Sequence, residues 1–418
     1  MAGAALLAAG CGDKKPSVSK PTATAGKPAE RPKPPGDAEQ MQNLLLERSR
    51  AIQDGDVERL AATSTGSQQV RDRRAARSAA ALPLASVEIE ATSTTVGKRS
   101  ATMHTLTRYD FDGVDSTFAI RSSMRFIKTP AGWRVKLDRP AGIEAPWQRG
   151  AYTVRRSEHF VALTPKGLKV AGFMRDLEAG RARMKKALPG LKAPGRMLVV
   201  VSRSNSDTKA LTRDVRALGT LNAIAEASVN ENGPARRVTS VAGQRLLVVW
   251  RSFGRQDHAG RRRTIAHEMT HASLVRKTSG RMPVWLVEGM AMYTAGDPRY
   301  GEAGALLSGA QLRDHSQQAA SKRVLSLTAL GRPASMVNLA STPLAFAYSY
   351  SAAAAYAIAA THGRKGLLRL YEGFDSEEIK GRPGRKLMDR VMRKTLHQSL
   401  ASVQKDVDAF ARAHAEIP

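Results

Sequence analysis

Two histidines four residues apart, His267 and His271, flank Glu268 in the stretch Thr264-Ile265-Ala266-His267-Glu268-Met269-Thr270-His271. A further acid, Glu288, follows seventeen residues after His271 within Trp285-Leu286-Val287-Glu288-Gly289. On a helix, residues at i and i+4 lie one turn apart on the same face, so both imidazoles can reach one ion. Imidazole and carboxylate are zinc ligands, and a catalytic zinc takes three protein ligands while keeping an open position, where a water's pKa falls to about 7. Glu268 is adjacent to a ligand without being one, and it is placed to accept that water's proton. The pattern therefore predicts one Zn2+ per chain held by His267, His271 and Glu288, with Glu268 as the general base of a hydrolase.

These side chains need two helices. Ile265, Met269 and Ala272 recur at spacings of four and three, the pattern of a helix packed on one side against a core. After Lys277 come Ser279, Gly280 and Pro283, which break that helix and let the chain return as a second one, Trp285 to Thr294, bringing Glu288 inward. The competing reading is that the histidines are merely packed or exposed and Glu268 sits in a surface ion pair. It would leave an apolar-flanked His/Glu/His cluster burying polar groups without partners.

His267, Glu268, His271, Trp285, Leu286, Glu288, Gly289 and Ala291 together resemble the gluzincin metallopeptidases, and more narrowly the peptidase-MA-like bacterial proteins with H-E-x-x-H followed by W-L-x-E-G-x-A. A metzincin would need Gly at Leu274 and His at Lys277. The thermolysin pattern has an acid where this chain has Met292, and the aminopeptidase branch usually has Asn where it has Val287, so cleavage from an end or internally stays open. The resemblance implies a peptide or protein substrate. It also implies a mixed sheet with active-site helices facing a helical half, and a strand at Arg245 to Arg251 whose free edge borders the cleft and pairs with an extended substrate. An oxyanion donor is implied as well, often a tyrosine roughly sixty residues after the glutamate ligand. Tyr348 and Tyr350 both fit, with Tyr348 favoured; the other reading of each is a buried aromatic hydrogen-bonded within a helix core. Two rivals stand beside the peptidase: a catalytically inactive binding protein of the cell envelope on a gluzincin scaffold, and an envelope protein whose N-terminal domain carries the function.

The expected fold class is α+β. Residues 1–11 are small and apolar and end in Leu7-Ala8-Ala9-Gly10-Cys11, which resembles a bacterial lipobox. That resemblance implies lipidation at Cys11, the single cysteine, and a place on the extracytoplasmic side of the cell membrane. Residues 12–37, rich in Lys, Pro, Ala, Thr and Ser, form a tether that cannot bury enough surface to fold. Residues 38–142 read as helices on either side of Asp54-Gly55-Asp56, then strands at Val87–Thr95, Ala101–Phe111, Thr117–Lys128 and Trp133–Leu137. The arrangement resembles the nuclear-transport-factor-2-like cone, as a pocket-bearing accessory module or a spacer. Residues 148–304 form the zincin catalytic subdomain, with strands at Tyr152–Leu163 and Met197–Ser202 around a helix at Leu168–Leu188; Asp207 to Gln244 carries no clear pattern. Residues 305–418 are helical, with Gly363 and Gly366 as stops.

With 418 residues and 42% hydrophobic content, the chain can bury a sizeable core. No apolar run reaches the eighteen or so residues needed to span a bilayer. Sixty-six basic against thirty-seven acidic residues give a net charge of +29, which suits anionic neighbours such as lipid headgroups or envelope polymers, or reflects solvated basic faces. The basic residues are scattered and lack interleaved stacking aromatics, so nucleic acid is not expected as a partner. Arg261-Arg262-Arg263 could meet an acidic substrate or form a solvated face, and the seven remaining histidines lack ligand spacing and read as structural.

Overall fold

The computed structural model describes residues 36–212, 222–233, 235–296, 326–331, 344–376 and 384–414. It opens with three helices, α1 (Asp37–Asp54), α2 (Val57–Ala62) and α3 (Ser67–Ala79), which cover one face of an antiparallel sheet. The sheet is ordered β1 (Leu84–Val96), β2 (Ser100–Phe111), β3 (Phe118–Thr129) and β4 (Gly132–Pro140). Met103, Tyr109, Ile120, Met124 and Phe126 are buried on one face of the sheet, as strand alternation requires, in a core that also holds Met41, Leu45 and Ile52 of α1. Helix α3 was absent from the expectation because its inward face is polar. Buried Gln68 and Asp72 point there, and Asp72 forms a bidentate pair with buried Arg48, Oδ2 to Nη1 at 2.6 Å and Oδ1 to Nη2 at 3.1 Å.

A short turn of helix, α4 (Pro146–Arg149), leads into a five-stranded mixed sheet of order β5, β6, β7, β9, β8. Its strands are β5 (Tyr152–Arg156), β6 (Phe160–Pro165), β7 (Met197–Ser202), β8 (Ala223–Asn232) and β9 (Arg237–Val249). Helix α5 (Phe173–Ala187) connects β6 to parallel β7, and α6 (Asn205–Leu211) follows β7. The span Tyr152–Leu163, expected as one strand, is an antiparallel hairpin of β5 and β6. The continuous apolar runs of β6 and β7 are buried on both faces. Phe160, Ala162, Val199, Val201, Leu246 and Val248 face the helices, while Val161, Leu163, Leu198, Val200 and Leu247 join the core of the N-terminal sheet. Trp147 stands between the two halves, its ring 4.8 Å from that of Tyr109 in an edge contact.

After β9 come α7 (Trp250–Phe253), α8 (His258–Leu274), a 3-10 turn at Val275–Lys277 and α9 (Val284–Ala295). The helical C-terminal part comprises α10 (Leu327–Leu330), α11 (Leu344–Asp375), α12 (Arg385–Leu396) and α13 (Leu400–Ala413). At Gly363, expected as a stop, α11 divides into two helices across a kink, the glycine taking φ 68°, ψ 172°; Gly366, the other expected stop, lies inside the second of them. The α+β class, the mixed sheet and the helical C-terminal part agree with expectation; the 304/305 boundary lies outside the described residues. Among the described residues no helix is long and apolar enough to cross a membrane.

Two close helix crossings set the position of the central pair. A Cβ built on Gly180 of α5 would lie 2.5 Å from the Ile265 Cβ of α8, and one on Gly289 of α9 would lie 2.4 Å from the Ser351 carbonyl oxygen of α11. Only a residue without a side chain lets these backbones approach so closely.

Candidate metal centre

Helix α8 begins at Asp257, whose side chain accepts from the Gly260 N–H. Its first turn is tied to α5 through the fully buried Asp176, which meets His258 Nδ1 at 2.8 Å and Arg262 Nε at 3.2 Å. Arg261 lies 5.3 Å from the centre of the Trp250 ring and donates to the Gly254 carbonyl. Arg261 and Arg262 are thus engaged by the protein's own groups, which accounts for positive charge at a helix N-terminus, where the dipole opposes it. One turn from its C-terminus, α8 is joined to α9 by the paired hydroxyls of Thr270 and Thr294.

That junction brings three ligand atoms together. His267 Nε2 and His271 Nε2 are 3.1 Å apart, and Glu288 Oε2 lies 3.5 Å from each. Zinc bonds of about 2.0–2.1 Å at tetrahedral angles require ligand atoms about 3.3 Å apart, so the triangle has the size of a zinc site. Glu288 Oε2 is moreover a buried carboxylate oxygen with no hydrogen-bond partner; its attraction to the imidazoles at 3.5 Å is electrostatic. An orphaned anionic oxygen facing two imidazole nitrogens fits a divalent cation. No other group of three or more histidine, cysteine or acidic side chains among the described residues has ligand spacing.

The groups perturb one another. Burial works to lower the His271 pKa, but the Glu288 carboxylate outweighs it and holds the imidazole at about 9. Burial likewise pushes Glu288 up, and the two imidazoles, His271 foremost, pull it well below the usual carboxylate range.

Glu268 is 8% exposed and stands beside this triangle without joining it. Burial shifts its pKa upward, opposed by the imidazoles and by the Ala225 N–H of β8, which donates to Glu268 Oε2 at 2.7 Å. The expected cleft strand needs correction here. β9, which contains Arg245–Val249, is internal, paired with β7 and β8, and the edge nearest the metal helix is β8. β8 sits in the stretch where the sequence showed no pattern, since Ala223-Ile224-Ala225-Glu226-Ala227 has little apolar alternation to mark a strand.

Of the two candidate tyrosines, Tyr350 is buried and committed elsewhere: its hydroxyl donates to Asp408 of α13 and accepts from Gln404. Tyr348 is half-buried on α11, one turn before the Ser351 that Gly289 meets. Tyr371, also on α11 and not singled out from sequence, is fully buried with its hydroxyl 2.7 Å from Thr278 Oγ1. Its ionisation is suppressed by burial first, with the Glu288 charge acting in the same direction. Cys11 lies outside the described residues.

No protein-family model matches this sequence, and no curated protein does. Among solved structures, the M1 zinc metallopeptidase of Deinococcus radiodurans is similar at 12% identity and a TM-score of 0.31, covering 79% of this chain and 64% of that one. A two-domain M1 zinc metallopeptidase mutant bound to L-arginine is similar at 14% identity and a TM-score of 0.33, covering 78% of this chain and 62% of the other. The chain spans less than two thirds of the length of these neighbours.

Proposed function

We propose that this protein is a zinc-dependent metallopeptidase that hydrolyses peptide bonds with an activated water. The observation that carries the reading is the triangle of His267, His271 and Glu288 at zinc-ligand separations with buried Glu268 beside it. When bound there, zinc would supply a Lewis acid that polarises a carbonyl and acidifies a water. Glu268 takes the proton: its Oε2 is held by the Ala225 amide, leaving Oε1 as the receiving atom. Tyr348, favoured by its spacing of sixty residues from Glu288, is the oxyanion donor of this reading, while the Tyr350 hydroxyl bonds Asp408 and Gln404. The proposal extends to an extracytoplasmic place at the cell membrane through lipidated Cys11, supported by the Leu7-Ala8-Ala9-Gly10-Cys11 sequence alone.

The test is a peptide-library digest by wild type and Glu268→Gln at matched zinc occupancy. Loss of the general base should lower kcat/KM by 10²- to 10⁴-fold, about 3–5 kcal/mol, with zinc retained. Equal cleavage by both proteins would refute the assigned mechanism. Absence of cleavage by zinc-loaded wild type would favour the binding-protein reading.

A further inference from the structure

Among the described residues β8 is an edge strand, its Ala225 N–H donating to Glu268, and the metal centre lies on only one of its two faces. Ala223 and Ala225 belong to the face that packs toward α8, whereas Ile224 belongs to the reverse face with Leu247 and the N-terminal sheet. On that reverse side lies a pocket of about 270 Å³. Phe118, Ala119 and Ile143 of the N-terminal half form one side of it, and Ile224, Glu226 and Ser228 form the other. Ala225 and Ala227, of opposite parity on the strand, line it too.

Its chemistry is uncharged in sum. Arg245, 3% exposed, pairs with Glu226 at 3.0 Å, so the two charges on its wall neutralise each other. Arg245 Nη1 is nevertheless a buried donor without a partner. The volume falls below the roughly 300–1,000 Å³ of sites for drug-sized ligands, and suits one side chain better than a cofactor.

We propose that this pocket is a specificity subsite that receives a long, uncharged side chain of the peptide substrate, and that the N-terminal domain thereby helps select what is cut. The inference rests on the metallopeptidase reading. A peptide added in extended form to the edge of β8 turns successive side chains to opposite faces. One set faces α8 and the metal ligands; the next turns to the reverse side, where the pocket opens. A charged side chain would be desolvated there against walls whose charges are already paired, which disfavours Asp and Lys. Leucine and methionine fill the apolar part, and glutamine adds a carbonyl acceptor for an unsatisfied guanidinium N–H.

The experiment uses zinc-loaded full-length chain and short host peptides in which each position is set in turn to Gly, Leu, Gln, Asp or Lys. Two readouts run in parallel: kcat/KM with wild type, and fluorescence-anisotropy binding to zinc-loaded Glu268→Gln. At one position, and not at its immediate neighbours, Leu and Gln should be favoured over Gly, Asp and Lys by on the order of 10- to 100-fold. Filling the pocket from its N-terminal wall at two separate positions, with Ala119→Trp or Ile143→Trp, should bring that ratio toward one in both readouts, with melting temperature and zinc content confirming the fold. A ratio that survives both fillings, or no such position at all, overturns the subsite. Selective binding that the fillings abolish, without cleavage, would sink the peptidase reading and leave the subsite standing; cleavage without this selectivity would do the reverse.

Discussion

Substituting Gly289 by alanine tests whether the helix crossing behind the metal ligands sets their positions. The new Cβ would sit 2.4 Å from the Ser351 carbonyl oxygen, 3.1 Å from its carbon and 3.3 Å from the Ala355 Cβ. The first two are backbone atoms of α11, so no side-chain rotation relieves the clash. Restoring an ordinary contact of 3.4 Å would require α9 to withdraw by about 1 Å, carrying Glu288 with it. Zinc sites tolerate ligand displacements of only about 0.2 Å, so the shift should weaken zinc binding on the order of 10- to 100-fold. Overpacking should also cost about 1–3 kcal/mol of stability, at roughly 2–4 °C in Tm per kilocalorie in chains of 150–250 residues. Competition with a chelating dye gives the affinity, and calorimetry of the metal-free protein gives Tm free of the ligand contribution. Gly190→Ala is the control, since its Cβ would meet Leu368 Cδ1 at an ordinary 3.5 Å. A Gly289→Ala protein with wild-type Tm and wild-type zinc affinity would refute the reasoning.

Zinc should be bound at about one per chain, with His267→Ala, His271→Ala and Glu288→Ala each losing most of it by plasma mass spectrometry; unchanged content in all three would remove the site. Tyr348→Phe should lower kcat by on the order of 3 kcal/mol in transition-state terms, whereas Tyr350→Phe, which deletes a buried bond to Asp408, should lower Tm; the reverse result would exchange their roles. Arg48→Met should destabilise the protein by about 3–5 kcal/mol in urea titration because the buried Asp72 and Asp138 lose their cation, and adding Asp72→Leu should recover part of that loss. Cys11→Ser expressed in the native host should move the protein from the membrane to the soluble fraction or block its maturation, while an unmodified Cys11 still joined to Met1 in the mature protein would reject lipidation.

The centre was legible because its chemistry and its packing obey the same period. The interval between His267 and His271 is one helical turn, and Ile265, Met269 and Ala272 supply the buried flank of that helix. The N-terminal strands were legible from alternation, with Ile120, Met124 and Phe126 all buried on one side. What stayed hidden lacked an apolar signature. Helix α3 buries an ion pair and an amide in place of leucines. β8 is an edge whose strand character comes from pairing with β9 over a long register, a non-local fact. The continuation through Gly366 escaped because a glycine in a helical pattern equally permits an end or a passage, and the packing of Leu367, Leu370 and Tyr371 just beyond it carries the helix on.

Val161, Leu163, Leu198, Val200 and Leu247 are covered by a segment the ribosome makes first. The four-stranded sheet therefore emerges without the surface it is to meet, and the parallel strands that follow can complete their second layer on a template already waiting. A cut near residue 142 would leave two fragments each presenting a greasy, flat surface, a recipe for precipitation rather than for a minimal enzyme. Heating should melt the N-terminal half together with the mixed sheet, because its hydrophobic interior runs on into the reverse face of that sheet.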